Sequence, residues 1–440
     1  MGRGTFIFMP RPAAKKKQET VQVETPFAVQ SEPSVKRPRF RTAVKNTSFN
    51  IFDDSTNKQR TKDLMAKAGL GEGFGSSTQS ARDYLPVPWL AFQYLIGRPG
   101  IPLNTITEFI GSESVGKSSL VYALMGEFVA HNIPCFYINS EPKALEPDWQ
   151  LRLLGTDPEK GKKIRDAIDI QPLNALEEMD EHMRAWVKIK REEEGIPTDV
   201  PLVVVIDSIT KLMNPEEFAV SGLAKLKPGE KKKPEGVGNV SQKPGVTAKW
   251  LHQWARLITP LLEQRNVTII AVSGQNQNMD AGGGPSFIKP SEKRNKTRTG
   301  GNALNQSAAL QFTVTYKGAF KNTAGVACGK EVLLFCEKNS YGPSFREVKY
   351  TLYDDRIENY PEDIEGMYKQ QAIDMDIALA NLLVEKKVLN TTVTRKRYSS
   401  AKAEAYEMTA KGFVEHIINR PELFMQVVTD LSIKGYEEDS

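Results

Sequence analysis

Residues Gly111-Ser112-Glu113-Ser114-Val115-Gly116-Lys117-Ser118 set the strongest limit on what this chain can become. Two glycines spaced by four residues, then a Lys and a hydroxyl, form the phosphate-loop pattern. Ile106 to Ile110 predicts a strand before it, and Ser119 to Met125 predicts the start of a helix after it. The glycines let the backbone curl so that its N–H groups face phosphate oxygens, and the helix N-terminus adds partial positive charge. Lys117 has the reach for the outer phosphates, and the Ser118 hydroxyl suits Mg²⁺. The bland alternative is a Gly-rich turn with a chance Lys; the strand and helix on either side argue against it.

A chain of 440 residues has room for two or three domains. Its three cysteines, Cys135, Cys328 and Cys336, fit neither a zinc spacing nor a disulfide framework, which points to a reducing, cytoplasmic interior. No apolar run approaches a membrane span, so no membrane partner is expected. Phe6 to Met9 is too short for a signal peptide, and Phe6 stands where a myristoylation signal needs Ser or Thr.

Charge is uneven. Residues 1–50 hold ten Lys/Arg against three Asp/Glu, a balance of +7, which leaves the other 390 residues at −2 within the total of +5. Affinity for polyanions must therefore come from local patches. The same fifty residues lack a sustained period and read as a disordered basic tail. Residues 51–85 hold a predicted helix, Lys58 to Ala68, and read as an oligomerisation segment. Residues 86–355 read as the core, and 356–440 as a small α+β domain ending in the acidic tail Glu437-Glu438-Asp439.

Within the core, Trp89 to Ile96 predicts a helix closed by Gly97. Cys135 to Asn139 predicts a buried strand, with Ser140-Glu141 at its carboxyl end, where parallel sheets keep their chemistry. Ala175 to Glu193 predicts a helix. Leu202 to Ile206 is the clearest strand, and Asp207-Ser208 closes it; an Asp there is placed to hold Mg²⁺ through water. Lys249 to Glu263 predicts a helix whose Trp250 and Trp254 read as core residues or, less commonly, as ligand stackers. Val267 to Val272 predicts a strand running into Ser273-Gly274-Gln275, and Leu310 to Tyr316 and Glu331 to Cys336 predict two more.

Two long polar stretches interrupt this pattern. The first, Asn214 to Val246, carries Lys231, Lys232 and Lys233 among other lysines. The second, Asn276 to about Arg298, carries Phe287, Lys289, Lys293, Arg294, Lys296 and Arg298, followed by Gly300 and Gly301. Basic loops with an embedded aromatic suit nucleic acid, the charges taking phosphates and the ring stacking on bases; a solvated surface loop is the other reading.

The motifs, in this order, resemble the RecA-type recombinases, with a flavour closer to phage versions than to the cellular bacterial protein. Gly111 to Ser118 is similar to the family loop, including the internal Glu113. Tyr137 to Glu141 followed by Ala144-Leu145-Glu146-Pro147 resembles the strand ending in the catalytic Glu. Val205-Ile206-Asp207-Ser208 is similar to the Mg²⁺ strand, and Thr299-Gly300-Gly301-Asn302-Ala303-Leu304 to the segment closing the second DNA loop. The resemblance implies an α/β core with a mostly parallel sheet, with ATP and Mg²⁺ as cofactors. It makes Lys117, Glu141 and Gln275 the catalytic group: Lys117 on phosphate, Glu141 polarising the attacking water, and Gln275 sensing the γ-phosphate. Gly111 to Ser119 and Trp149 would contact the nucleotide, with Trp149 against adenine. Lys338 fits the first of a pair of lysines that the family sets against the neighbour's ATP. Ser340 stands at the second, which implies weaker cross-subunit activation or moves that role to Arg346 or another residue.

Phe40-Arg41-Thr42-Ala43 resembles the Phe-x-x-Ala plug by which Rad-type recombinases dock on the next subunit, or is plain basic tail. The expected activity is ATP-dependent homologous pairing and strand exchange by a homo-oligomeric filament on single-stranded DNA. Double-stranded DNA and a single-strand-binding protein or loading mediator are the expected partners. A RecA-fold hexameric helicase and a DNA-coating protein with weak ATPase are the rivals.

Overall fold

The computed structural model describes residues 84–141, 147–154, 158–221, 246–277, 296–298, 303–321, 325–353, 372–386, 389–392, 397–400, 417 and 419–436. Phe40 to Ala43, the helix expected at Lys58 to Ala68, Lys231 to Lys233, Phe287, Lys289, Lys293, Arg294, Gly300, Gly301 and Glu437 to Asp439 lie outside the described residues.

The chain enters through β1 (Tyr84–Pro86), α1 (Leu90–Ile96) and β2 (Gly100–Pro102). The site-bearing region follows: β3 (Ile106–Gly111), α2 (Lys117–Ala130), β4 (Cys135–Asn139), α3 (Pro147–Leu153), α4 (Pro158–Asp166), β5 (Ile168–Pro172), α5 (Leu176–Lys188), β6 (Leu202–Asp207), α6 (Pro215–Val220), α7 (Val246–Gln264) and β7 (Val267–Gln277). Then come β8 (Lys296–Arg298), α8 (Ala303–Ser307), β9 (Ala308–Lys321), β10 (Ala327–Asn339), β11 (Glu347–Tyr353) and β12 (Ile373–Asp374). Last are α9 (Asp376–Glu385), the hairpin β13 (Leu389–Thr392) and β14 (Arg397–Ser400), and α10 (Pro421–Asp430).

One ten-stranded sheet runs β12-β11-β10-β9-β3-β7-β6-β4-β5, with β8 paired to the end of β7. From β9 to β5 every pairing is parallel, and β9 to β12 is antiparallel. The sheet is therefore mixed, with its parallel part running from β9 through β3, β7, β6 and β4 to β5.

Strand alternation sorts the core into two faces. Val203, Val205, Ile270, Val272 and Phe312 pack with α1 and α2, and Val204, Ile206, Ile269 and Ala271 pack with α5 and α7. Each of the Val, Ile and Phe side chains, fully buried, contributes about 1.5–3 kcal/mol. Phe312 anchors the first face, its ring 5.2 Å from both Phe92 and Phe109. Trp254 belongs to the second face, its indole N–H donating to Asp180 Oδ1 at 3.0 Å, and Trp250 packs beside the same cluster. Trp254 is a core residue, and Trp250 is partly buried against that core.

Several boundaries differ from the sequence expectation. The helix after the phosphate-loop pattern starts at Lys117, two residues early, because Gly116 caps it in a left-handed conformation. Ala175 and Trp89 are extended caps, not helix. α5 ends at Lys188, and Ile189–Glu193 forms a π-helical turn. Val246 opens α7, and the expected polar stretch after Asn214 contains α6. β7 runs on to Gln277, so residues 276 and 277 are strand.

The C-terminal elements return to the same core. β12 extends the sheet beside β11, and Ala378, Leu379, Leu383, Val427 and Val428 join the cluster around α1. Tyr436 donates its hydroxyl to Gln93 Oε1, and the Lys434 N–H donates to Gly97 O at 3.1 Å. All three cysteines are buried free thiols. Burial pushes Cys336 up to about 12 and Cys135 higher, which keeps both protonated at neutral pH. Among the described residues, no helix is long and apolar enough to cross a membrane.

Candidate active site

β3, β4, β6 and β7 lie side by side and parallel, so their carboxyl ends share one edge. That edge gathers Gly111, Glu141, Asp207 and Gln275. The loop from Gly111 is made possible by two glycines. A Cβ on Gly111 would stand 2.4 Å from Val314 O in the neighbouring β9, and one on Gly116 would stand 2.6 Å from Leu352 Cδ2. Gly116 also has φ of 99°, and Ser114 has φ of 59°. The first helical bond of α2 is Leu120 N–H to Gly116 O at 3.0 Å. The N–H groups of Lys117, Ser118 and Ser119 come before it and have no partner within the helix.

Lys117 is buried, and its ammonium donates to Gly111 O at 2.9 Å and Ser112 O at 2.6 Å. Burial lowers its pKa, while the charges of Asp207, Glu141 and Glu113 oppose that shift. The lysine thus folds back onto its own loop, within the field of three carboxylates.

Asp207 is 2% exposed at the end of β6. The Tyr137 hydroxyl donates to its Oδ2 at 2.8 Å. Burial pushes the carboxyl up, and Ser118, Tyr137 and Lys117 hold it down. Although Ser118 is near enough to favour the carboxylate, Oδ1 is buried with no hydrogen-bond partner among the described residues. An orphaned carboxylate oxygen is costly unless something else binds it. A hydrated divalent cation fits that oxygen. Among the described residues no three His, Cys, Asp or Glu converge. A cation at Ser118 and Asp207 would therefore need further oxygens from a bound phosphate and water.

Ser140 ties β4 to β6. Its N–H donates to Asp207 O at 2.8 Å, its hydroxyl donates to Ser208 O at 2.7 Å, and the Ser208 N–H donates back to it at 2.8 Å. The next residue, Glu141, has its N–H held by Asn139 Oδ1 at 3.0 Å. Thr210 then ties the same turn to β7. Its Oγ1 accepts the Gly274 N–H at 2.9 Å and lies 2.8 Å from Ser208 Oγ. Gln275, half-buried, comes next on β7, and its register partner is Arg298. Asn276 and Gln277 face Thr297 and Lys296 in that antiparallel ladder. The second basic stretch is therefore closed at its base by a short ladder that includes Gln275.

Below this edge a carboxylate sits inside the sheet. Glu108, 3% exposed, accepts from Ser273 Oγ at 2.7 Å and Gln311 Nε2 at 2.8 Å, linking β3 to β7 and β9. On the loop's other side, Lys330 donates to Ser114 O at 2.9 Å, beside a cleft of about 590 Å³ lined by Glu113, Val115, Tyr316 and Gly329.

Three further expected residues make their contacts elsewhere. Trp149, on α3, packs partly buried against the core. Lys338 donates to Asn305 O at 2.7 Å and Gln306 O at 3.2 Å, at the C-terminal end of α8. Arg346 donates to Tyr94 O at 2.6 Å, with its guanidinium 4.4 Å from the Tyr94 ring. Lys296 and Arg298 belong to β8.

Sequence reasoning placed Tyr137 and Ser140 in the strand that ends at Glu141 but gave neither a partner, and it missed Thr210, Glu108 and Lys330 as parts of this region. The available signal was polarity inside apolar strands: a Tyr within Cys135 to Ile138 and a Glu within Ile106 to Ile110 must each find partners when buried.

Fold and site define an α/β protein with a Gly-rich loop, a buried Lys and a buried Asp at the carboxyl edge of parallel strands. The chain is 25% identical to the RecA protein of Colwellia psychrerythraea over 302 residues, 68% of this chain and 74% of that protein. It is 25% identical to the RecA protein of Pseudomonas putida over 300 residues, 68% of each. Against that of Laribacter hongkongensis it is 27% identical over 280 residues, 63% of this chain and 66% of that protein. No family model matches the chain. These similarities support a relationship to the RecA family.

Proposed function

We propose that the chain is an ATP-dependent DNA recombinase that forms filaments on single-stranded DNA and pairs it with homologous duplex. The observation that carries this reading is the link from the Asp207 turn through Thr210 to Gly274, next to Gln275 and the base of the basic stretch. A nucleotide at the first end has a short route to a DNA contact at the second.

In this reading the backbone from Gly111 to Ser119 binds the phosphates of ATP, and Lys117 leaves its loop carbonyls for the outer ones. Ser118 and the free oxygen of Asp207 would hold Mg²⁺, which would supply positive charge at the phosphates. Tyr137 and Ser140 keep Asp207 in place, and Glu141 orients the attacking water and takes its proton. Gln275 reports the γ-phosphate to the stretch that holds Phe287, Lys289, Lys293 and Arg294, which contacts DNA. Trp149 serves the base, Lys338 meets the neighbouring subunit, and Lys231 to Lys233 provide a second DNA contact. The protein acts inside the cell, bound to DNA, with a single-strand-binding protein or loading mediator as partner.

The test is the affinity for a fluorescent single-stranded oligonucleotide with β,γ-imido-ATP, with ADP and without nucleotide. Tighter binding with the triphosphate analogue, lost in Lys117→Ala, is the expected result. Equal affinity in all three states would overturn the reading.

A further inference from the structure

The turn after Asp207 carries a cation with no role in the site as described so far. Lys211 Nζ lies 2.8 Å from Glu113 Oε1, so the ion pair joins that turn to the phosphate loop. Lys117 belongs to the first of these elements and Asp207 opens the second, so both border the place a terminal phosphate takes in the nucleotide-site reading. The pairing raises the pKa of Lys211, which is therefore fully charged at neutral pH. Lys211 disfavours the charge on Lys117, and Glu141 favours the charge on Lys211, so the ammonium lies within the field of both.

The pair itself is weak. Lys211 and Glu113 are 48% and 81% exposed, and water screens such contacts almost completely. An exposed lysine held this loosely exchanges its partner readily for a phosphate oxygen, which carries more charge. Of the other cations named above, Lys330 is engaged with the carbonyl of Ser114, Lys338 with those of Asn305 and Gln306, and Arg346 with that of Tyr94.

We propose that Lys211 is a catalytic residue of this chain, an internal cation that leaves Glu113 to contact the γ-phosphate of bound ATP. This rests on the nucleotide-site reading above. In the step it serves, the water oxygen bonds to the γ-phosphorus while the bond from that phosphorus to the β–γ bridging oxygen breaks. The electron pair stays on ADP, and the water proton passes to Glu141 and then to solvent. Lys211 gives up no proton; its charge offsets the negative charge gathering on the transferred group.

The full chain is assayed as wild type, Lys211→Ala and Lys211→Arg for ATP hydrolysis with single-stranded DNA and for affinity toward ADP and β,γ-imido-ATP. Thermal scans check folding. Lys211→Ala is expected to lower kcat about 10- to 100-fold, the range for a charge-assisted hydrogen bond. It should weaken the triphosphate analogue more than ADP, and Lys211→Arg should restore most of both. An unchanged kcat, or equal weakening of ADP and the analogue, would overturn the proposal and leave Lys211 as a brace for the loop. Should wild type bind nucleotide without hydrolysing it, the affinity comparison decides alone. Should wild type bind no nucleotide, the site reading fails and the proposal with it.

Discussion

The Thr210 hydroxyl accepts the backbone N–H of Gly274 at 2.9 Å, joining the turn that follows Asp207 to the strand that carries Gln275. Thr210→Val keeps the shape and removes the acceptor. A lost bond of this kind costs about 1 kcal/mol, roughly a factor of five. Stimulation of ATP hydrolysis by DNA should fall by about that factor, and hydrolysis without DNA should fall less. Equal losses with and without DNA would place Thr210 in the chemistry and not in the coupling.

Asp207 is expected to trade stability for function. Burial raises its folded pKa, so the folded state binds the proton more tightly than the unfolded chain does. The stability this supplies is complete below the ordinary carboxylate value of 3.8 and is lost as pH rises through the raised folded value. Above that folded value, and without magnesium, ionising the buried group costs stability. Asp207→Asn should then raise the thermal midpoint by roughly 2 °C while abolishing hydrolysis. Thermal scans from pH 5 to pH 8 in chelator check this; a gain that shrinks as pH rises would contradict it.

The sequence made the centre of the sheet legible and its margins obscure. Val203 to Ile206 is apolar on both faces, so the run itself marks a strand buried between two helical layers. Ile168–Pro172, at the sheet edge, has only Ile168 buried, and its mix of Asp, Gln and Pro hides it. The loop from Gly111 was legible because its two glycines, Lys and Ser stand at the fixed spacing of a known pattern, and the glycines are needed where a Cβ would meet Val314 O and Leu352 Cδ2. Tyr137 on Asp207, and Ser273 and Gln311 on Glu108, were not: these partners are 70, 165 and 203 residues apart, and no local pattern encodes such pairs.

Arg191 is a structural anchor within the π-helical turn. It donates to the carbonyls of Ile196, Pro197, Val200 and Arg265, pinning the segment before β6 to the end of α7. Arg191→Ala leaves several of these unsatisfied and should cost about 2–4 kcal/mol. Lysine cannot reproduce the planar fork, so Arg191→Lys should recover little. Urea denaturation measures both, and a loss below about 1 kcal/mol for Arg191→Ala would contradict the assignment.

The basic stretch after Gln277 should separate charge from stacking. Replacing Lys289, Lys293 and Arg294 together should flatten the salt dependence of single-strand binding by about 0.7 in log K against log salt per lost phosphate contact. Phe287→Ala should leave that slope alone and impair strand pairing, at about 1–3 kcal/mol per stacked base. The reverse pattern would turn attention to Lys231, Lys232 and Lys233 as the primary contact.

Joint-molecule formation between circular single-stranded DNA and homologous linear duplex tests the central claim most directly. With ATP and Mg²⁺ the wild-type chain should form joint molecules with homologous duplex only, and Lys117→Ala should form none. Unwinding of partial duplexes without any homologous pairing, or binding to DNA that does not respond to ATP, would contradict it.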